Sequence, residues 1–274
     1  MNLDWTNRKI SVRSSHSLEY HVKASLERLD SPDLFGFCEV ASKQWVKRFE
    51  RSTRYGGTLI GGSYERDGYF YVIWNRETLE FMYTVGCGDR NRFVAAYFYH
   101  AQTDTTVLFV TVHMPREKEA WWKEADSIAE MVSCREHRQA LIIIAGDFNA
   151  DPMRVSAAFG PLGFHCAIHT TPFLPTTAAG NSIDNVLSNR GFSEPRLLMD
   201  DKYGHFSHYA IASSVSVGAP ARATSPSSPS RGTSTTAADE PEPPPGLIFW
   251  QWSCTLLELV AGAAALRGCA LFFR

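Results

Sequence analysis

The sequence lacks several features that assign a chain to a class at once. Its six cysteines are scattered and none forms a CxxC pair, which argues against a zinc site. A formal net charge of −2 argues against a generally basic protein that coats nucleic acid, although a local basic patch still suits a nucleic-acid enzyme. Residues 1–9 are charged and contain no apolar core, so we expect no secretory signal and an intracellular or membrane-anchored protein. No internal repeat is visible.

With 44% hydrophobic residues among 274, the chain has enough apolar side chains for a substantial core. Up to residue 217, runs typical of strands alternate with segments that have helical spacing. The predicted strands are 34–40, 69–74, 94–99, 107–112, 142–144, 185–187 and 209–212, and the predicted helices are 18–29 and 117–132. This order predicts an α/β sandwich of sheets faced by helices, in a domain that spans residues 1–217.

The composition changes after residue 217. Residues 218–246 are rich in Ser, Thr, Pro and Ala and predict a disordered linker, because they cannot bury enough apolar surface. Residues 247–274 are strongly apolar and long enough for a membrane anchor, despite Glu258 and Arg267. An amphipathic segment that docks on lipid or a partner, and non-native sequence, are the alternatives.

Polar side chains follow three of the predicted strands. Glu39 ends the first, His113 follows the 107–112 run, and Asp147 and Asn149 follow the isoleucine run. Ligands commonly bind where strands of an α/β sheet end, and a carboxylate there is a natural ligand for a hard cation. Taken alone, Glu39 is more often a surface acid and His113 a structural residue, and the Gly-Asp pair is also explained as a turn after a core strand.

Two carboxylate–imidazole pairs are possible along the chain. Glu65 can orient His113, and Asp184 can orient His208, which fixes the tautomer and raises the basicity of each imidazole. A cluster of Lys and Arg in residues 43–54 predicts either a solvated helix face or a surface that contacts phosphate.

Taken together, these residues resemble the endonuclease/exonuclease/phosphatase superfamily, and within it the deoxyribonuclease-I-like branch, from about Trp5 to Val215. The motifs that carry the resemblance are 33–40 (DLFGFCEV), 63–65 (SYE), 112–113 (VH), 146–149 (GDFN), 182–185 (SIDN) and 207–209 (SHY). The resemblance implies a four-layer α/β sandwich, in which two mixed sheets pack face to face with helices outside. It also implies a phosphodiester hydrolase that depends on Mg²⁺, with Ca²⁺ or Mn²⁺ as alternatives. We expect the protein to be a monomer.

The resemblance also implies roles for individual residues. Glu39 would be the main metal ligand, while Asp147 and Asn149 would position water and phosphate. Glu65 would orient His113, and Asp184 would orient His208. Arg92 would contact phosphate, and Asn7 would take the place of the asparagine on the family's first strand.

One position departs from the family pattern. The residue before His208 is normally an acid, and here it is Ser207. The loss of one anionic ligand should weaken cation binding, unless Asp200 or Asp201 substitutes for it.

Three functions are compatible with the sequence. The first is an endonuclease that acts on DNA with little base specificity. The second is a phosphoesterase of the same fold that acts on a phosphoinositide or a sphingolipid headgroup, which an anchoring tail would favour. The third is a descendant that binds without catalysis, for which Ser207 would mark the decay of the site.

Overall fold

A computed structural model describes residues 32–40, 50–51, 53–59, 69–87, 92–169, 173–177, 179–192, 195–198, 210–215 and 247–253. The strands in these ranges are β1 (Leu34–Val40), β2 (Tyr55–Leu59), β3 (Tyr69–Asn75), β4 (Leu79–Cys87), β5 (Phe93–His100), β6 (Thr105–His113), β7 (Leu141–Asp147), β8 (His165–Cys166), β9 (Asp184–Ser188), β10 (Arg196–Leu198), β11 (Ala210–Val215) and β12 (Leu247–Ser253). The helices are α1 (Lys118–Val132) and α2 (Pro152–Phe159), with short 3₁₀ turns at Ala101–Thr103, Arg135–His137 and Gly160–Leu162.

The strands form two six-stranded mixed sheets. The first sheet has the order β10-β11-β12-β1-β3-β2, and the second has the order β4-β5-β6-β7-β9-β8. In each sheet one pair is parallel, β1 with β12 and β6 with β7, while the other neighbours are antiparallel. The predicted pair of mixed sheets is therefore confirmed.

The central strands β6 and β7 of the second sheet are buried on both faces because both faces are covered. On β6, Val107 and Phe109 belong to the core between the sheets, together with Leu34 and Ile211 from the first sheet. The alternate residues of β6 belong to a second core that also includes residues of the helices, among them Trp121. Successive side chains of a strand point to opposite faces, so this division follows from the period of two.

Helix α1 covers the outer face of the second sheet. Its buried residues include Trp121, Ala125, Ile128 and Val132, whose spacing of three and four places them on one side of a helix. The Nε1 atom of Trp121 donates a 2.6 Å hydrogen bond to the carbonyl of Phe148, which fixes α1 against the end of β7.

Helix α2 begins directly after the GDFN motif. Asp151 is its N-cap and accepts a 3.0 Å hydrogen bond from the backbone N–H of Arg154, while Pro152 occupies the first turn. The predicted helix at 18–29 lies outside the described residues, and so does the linker at 218–246.

The prediction for the start of the C-terminal apolar segment was wrong. Residues 247–253 form β12, which lies inside the first sheet between β11 and β1. These seven residues are a strand of the first sheet rather than a membrane anchor, while residues 254–274 of the predicted segment lie outside the described residues. No helix in the described part of the chain is both long and apolar enough to span a bilayer.

Candidate active site at one end of the sandwich

Three of the predicted site residues lie side by side on neighbouring strands. His113 ends β6 and pairs in register with Asp147 at the end of β7. Asp147 in turn pairs with Asp184 at the start of β9, which runs antiparallel to β7. The sheet itself therefore brings an imidazole and two carboxylates to one edge, although they are far apart in sequence.

Glu39 lies at the same end of the sandwich. The Thr78 hydroxyl, just before β4, donates a 2.6 Å hydrogen bond to the carboxylate of Asp33, just before β1. Strands β1 and β4 therefore begin at the same end of the sandwich. Since β5 runs antiparallel to both β4 and β6, strand β6 also begins at that end. The carboxyl ends of β1 and β6, which carry Glu39 and His113, consequently lie at the opposite end.

The close approach of β6 and β7 depends on Gly146. A Cβ atom built on this residue would lie 2.0 Å from the carbonyl oxygen of Val112 and 2.6 Å from its Cγ2 atom. No side chain fits at that distance, so glycine is required for the pairing that places His113 beside Asp147.

The carboxylate of Asp147 is fully buried. Its Oδ1 atom accepts a 2.8 Å hydrogen bond from the backbone N–H of Asn149, and Oδ2 has no hydrogen-bond partner among the described residues. Burial raises the pKa of Asp147 to about 7, although the Asn149 hydrogen bond and Arg116 oppose the shift. A buried oxygen without a partner suits a cation, a water or a substrate proton.

His113 is held neutral. Burial is the main reason that its pKa is lowered to about 3, and the positive charges of Arg92 and Arg116 lower it further. Its Nε2 atom lies 3.9 Å from Oδ2 of Asp147, beyond hydrogen-bond distance. At neutral pH this imidazole is therefore uncharged and carries a single ring proton.

Asn149 connects β7 to the loop after β6. It adopts a left-handed backbone conformation with φ of 47°, and its Nδ2 atom donates a 2.9 Å hydrogen bond to the carbonyl of Met114. An amide nitrogen carries two protons, so this bond leaves one for a phosphate oxygen. Asparagine is among the residues that tolerate this conformation, which explains its place after the Gly-Asp turn.

The start of β9 is anchored by Thr176, which the sequence analysis missed. Its hydroxyl oxygen accepts hydrogen bonds from the backbone N–H groups of Ile183, at 3.0 Å, and Asp184, at 3.1 Å. The Asp184 carboxylate is almost fully buried at this position. Thr176 therefore fixes the strand end that presents Asp184.

Two arginines supply positive charge at this end. The carbonyl oxygen of Arg92 accepts a 2.8 Å hydrogen bond from the backbone N–H of His113, so the backbones of the two residues are neighbours, and the charge of Arg92 acts on the imidazole. Arg116, also missed by the sequence analysis, follows β6 and is exposed, and its charge acts on both His113 and Asp147. Cations in this position suit an anionic substrate.

The structure brings together His113, Asp147, Asn149, Asp184 and Arg92, with Glu39 placed at the same end by its strand. The predicted residues Asn7, Glu65 and His208 lie outside the described residues, as does Ser207. Within the described ranges, no group of three or more His, Cys, Asp or Glu side chains is arranged to hold a metal ion.

Solved structures of known proteins share this architecture. A mannosyl-6-phosphatase from Bacteroides thetaiotaomicron matches with a TM-score of 0.56 and 18% identity, over 73% of this chain and 86% of that protein. TDP2 from D. rerio, in complex with a single-strand DNA product, matches with a TM-score of 0.57 and 14% identity, over 77% and 94%. An endonuclease/exonuclease/phosphatase from Bacteroides vulgatus matches with a TM-score of 0.55 and 13% identity, over 70% and 86%.

No protein-family model matches the sequence, and no curated protein sequence matches it significantly. At these identities the structural matches establish the fold. The chain has the endonuclease/exonuclease/phosphatase fold, as the sequence motifs predicted. It is a fold shared by phosphoester hydrolases such as the mannosyl-6-phosphatase above.

Proposed function

We propose that the protein is a divalent-metal-dependent phosphodiester hydrolase, an endonuclease that cleaves DNA with little base specificity. The observation that carries the proposal is the adjacency of His113, Asp147 and Asp184 at the edge where β1 brings Glu39. DNA is favoured as the substrate because the similar TDP2 structure contains a single-strand DNA product.

The cation that we propose for this end is Mg²⁺, with Ca²⁺ or Mn²⁺ as alternatives. These cations prefer carboxylate and water oxygens, and the Oδ2 atom of Asp147 is buried without a hydrogen-bond partner among the described residues. We assign Glu39 as the principal ligand, in agreement with the sequence resemblance. When bound, the cation polarises a phosphoryl oxygen and offsets the charge that develops in the transition state.

The side chains of the chain itself position and deprotonate the reactants. Arg92 and Arg116 attract the phosphate, and the free amide proton of Asn149 holds one of its oxygens. The base that takes a proton from the attacking water is either His208, which Asp184 orients, or Asp147. The neutral His113 donates a hydrogen bond from its ring N–H to the phosphoryl oxygens, and a proton from solvent water neutralises the leaving oxygen.

Nicking of supercoiled plasmid tests this function. The full chain should nick plasmid in Mg²⁺ and lose the activity in EDTA, and Glu39→Ala and His113→Ala should each lower the rate by about 100-fold or more. His165→Ala is the matched control, because His165 is exposed on β8 and lies away from the strand ends of the site. Absence of Mg²⁺-dependent nicking by the wild-type chain would refute a DNA endonuclease.

A phosphomonoesterase is the second candidate, because a mannosyl-6-phosphatase is among the similar structures. Release of inorganic phosphate from sugar phosphates, without plasmid nicking, would establish it. The variant Ser207→Asp tests whether the missing acid limits either activity, since restoring an anionic ligand should lower the Mg²⁺ concentration for half-maximal rate.

A further inference from the structure

The C-terminal strand β12 fills a slot in the middle of the first sheet. It pairs in parallel with β1, where Phe249 lies opposite Leu34 and Ser253 opposite Cys38. On its other side it pairs antiparallel with β11, where Gln251 lies opposite Ile211 and Leu247 opposite Val215. Without β12, the backbone edges of β1 and β11 that face the slot would lose these ladder partners. Unpaired strand edges bind other strands readily, so the slot is a site for strand addition.

The same strand touches the second sheet. β12 packs across the sandwich on β7 and β9, the strands that carry Asp147 and Asp184. It is therefore in contact with β1 in its own sheet and with both carboxylate-bearing strands of the other sheet. Its direction is parallel to β1, so its last residue, Ser253, lies beside Cys38 and one residue short of the level of Glu39.

The connection to β12 is much longer than the geometry requires. Val215 at the end of β11 pairs directly with Leu247 at the start of β12, and a two-residue turn is enough to join such antiparallel strands. Residues 216–246 stand between them instead, with a Ser-, Thr-, Pro- and Ala-rich composition. Loop-closure entropy grows only slowly with length, so β12 remains able to dock although the connection is long.

We propose that the slot between β1 and β11 is a docking site for the segment Leu247–Ser253, and that its occupancy holds Glu39 in the catalytic arrangement. The slot recognises an extended apolar segment through backbone hydrogen bonds on both sides. Its occupant is residues 247–253 of the same chain. The catalytic part of this inference rests on the proposed function, whereas the docking itself does not.

A proline in β12 of the full chain tests the proposal. Gln251 pairs with Gly36 on one side and Ile211 on the other, and proline removes its backbone N–H from a central strand. We expect Gln251→Pro to lower Tm and to lower the Mg²⁺-dependent hydrolysis rate by about 100-fold, through misplacement of Glu39. Ser227→Pro, in the connection, is the matched control and should change neither value.

Rescue in trans distinguishes docking from general damage. A synthetic peptide of residues 245–253, with added lysines for solubility, should bind the Gln251→Pro protein saturably and restore both Tm and rate. A peptide of scrambled sequence, and one that carries Gln251→Pro itself, should restore neither. The proposal would be overturned if the Gln251→Pro protein had the same Tm and rate as the wild-type protein. It would also be overturned if the variant were soluble and folded but the peptide of wild-type sequence did not restore its Tm and rate.

A cleavable connection covers the case in which Gln251→Pro does not fold. A protease site inserted between residues 225 and 231 of the wild-type chain allows the connection to be cut after folding. The cut protein should keep its activity at high concentration and lose activity and Tm on dilution, with recovery on addition of the peptide. The proposal would be overturned if the fragment that carries β12 separated while the remaining protein kept its Tm and rate. It would also be overturned if the cut protein lost neither Tm nor rate at any dilution.

The readouts separate this inference from the proposed function. If the wild-type chain hydrolyses no phosphoester but Tm depends on β12 as described, the proposed function fails while docking stands. If hydrolysis is present and independent of β12, the docking proposal fails while the function stands.

Discussion

The Nε2 atom of His113 lies 3.9 Å from the Oδ2 atom of Asp147, and the two residues are directly paired across parallel strands. Both side chains are buried, and burial shifts their pKa values in opposite directions, to about 3 for the imidazole and about 7 for the carboxyl group. Each group is therefore biased toward its uncharged form, so they are neighbours without being an ion pair.

These shifts make opposite contributions to stability. The folded-state pKa of His113 lies below its ordinary value of 6.5, so folding is weakened as the pH falls from about 6.5 to 3. The folded-state pKa of Asp147 lies above its ordinary value of 3.8, so folding is weakened as the pH rises from about 4 to 7. The metal-free wild-type protein should thus show little change in unfolding free energy between pH 4 and 6.5.

Asp147→Asn should expose the contribution of His113 alone. We expect its unfolding free energy to rise between pH 4 and 6.5, by on the order of 3 kcal/mol, because each pKa unit corresponds to about 1.4 kcal/mol. Urea denaturation in EDTA at several pH values measures this. Asp126→Asn, on the exposed face of α1, should keep the wild-type profile. A flat profile for Asp147→Asn would contradict the opposed shifts.

Gly146→Ala should separate the two strands that carry this pair. The new Cβ atom would meet the backbone of Val112 at 2.0 Å, so β6 and β7 must move apart. Such overpacking costs about 1–3 kcal/mol or more, and we also expect loss of most hydrolysis because His113 and Asp147 shift. Thermal unfolding and plasmid nicking measure the two effects.

Gly191→Ala is the matched substitution, since a Cβ atom there would have no neighbour within 4 Å. It should leave Tm and rate unchanged. If Gly146→Ala behaved like Gly191→Ala, the close approach of β6 and β7 would not be what sets the site.

Much of the fold could be predicted because the strands are apolar runs that end in polar residues. The runs at 34–40, 107–112 and 142–144 correspond to β1, β6 and β7, and the rule that ligands bind where strands end singled out Glu39, His113 and Asp147. The position of Asp184 beside Asp147 follows from strand pairing, which the sequence did not show. The helix predicted at 117–132 is α1.

Other elements were missed for identifiable reasons. Helix α2 has only two turns, and its Asp151–Pro152 start also fits a simple turn. Strand β12 is mostly apolar, and hydrophobicity alone does not distinguish a buried central strand from a membrane segment. Thr176 and Arg116 owe their roles to where their loops meet the strand ends, which no local pattern encodes.

Thr176→Val should weaken the start of β9 without changing its shape. The substitution is nearly isosteric but removes the oxygen that accepts from the N–H groups of Ile183 and Asp184. Leaving buried donors without an acceptor costs about 1–3 kcal/mol, and we expect a lower kcat because Asp184 is less well held. Thr106→Val, at a half-buried position on β6, is the control and should be close to neutral. If the two variants had the same Tm and kcat, Thr176 would not be a residue that positions Asp184.

Arg116→Ala should reveal whether the substrate is a polyanion. Arg116 is exposed after β6, and its positive charge lowers the pKa of His113, so its removal should raise that pKa and weaken attraction of phosphate. For a DNA substrate, KM should rise and the slope of log KM against log salt concentration should fall by about 1, because one phosphate contact is lost. Arg135→Ala, in the 3₁₀ turn after α1, controls for net charge and should leave the slope unchanged. If Arg116→Ala changed KM but not the slope of log KM against log salt concentration, or if both variants had the same slope, Arg116 would not contact the nucleic-acid backbone. A small phosphoester would then be favoured as the substrate.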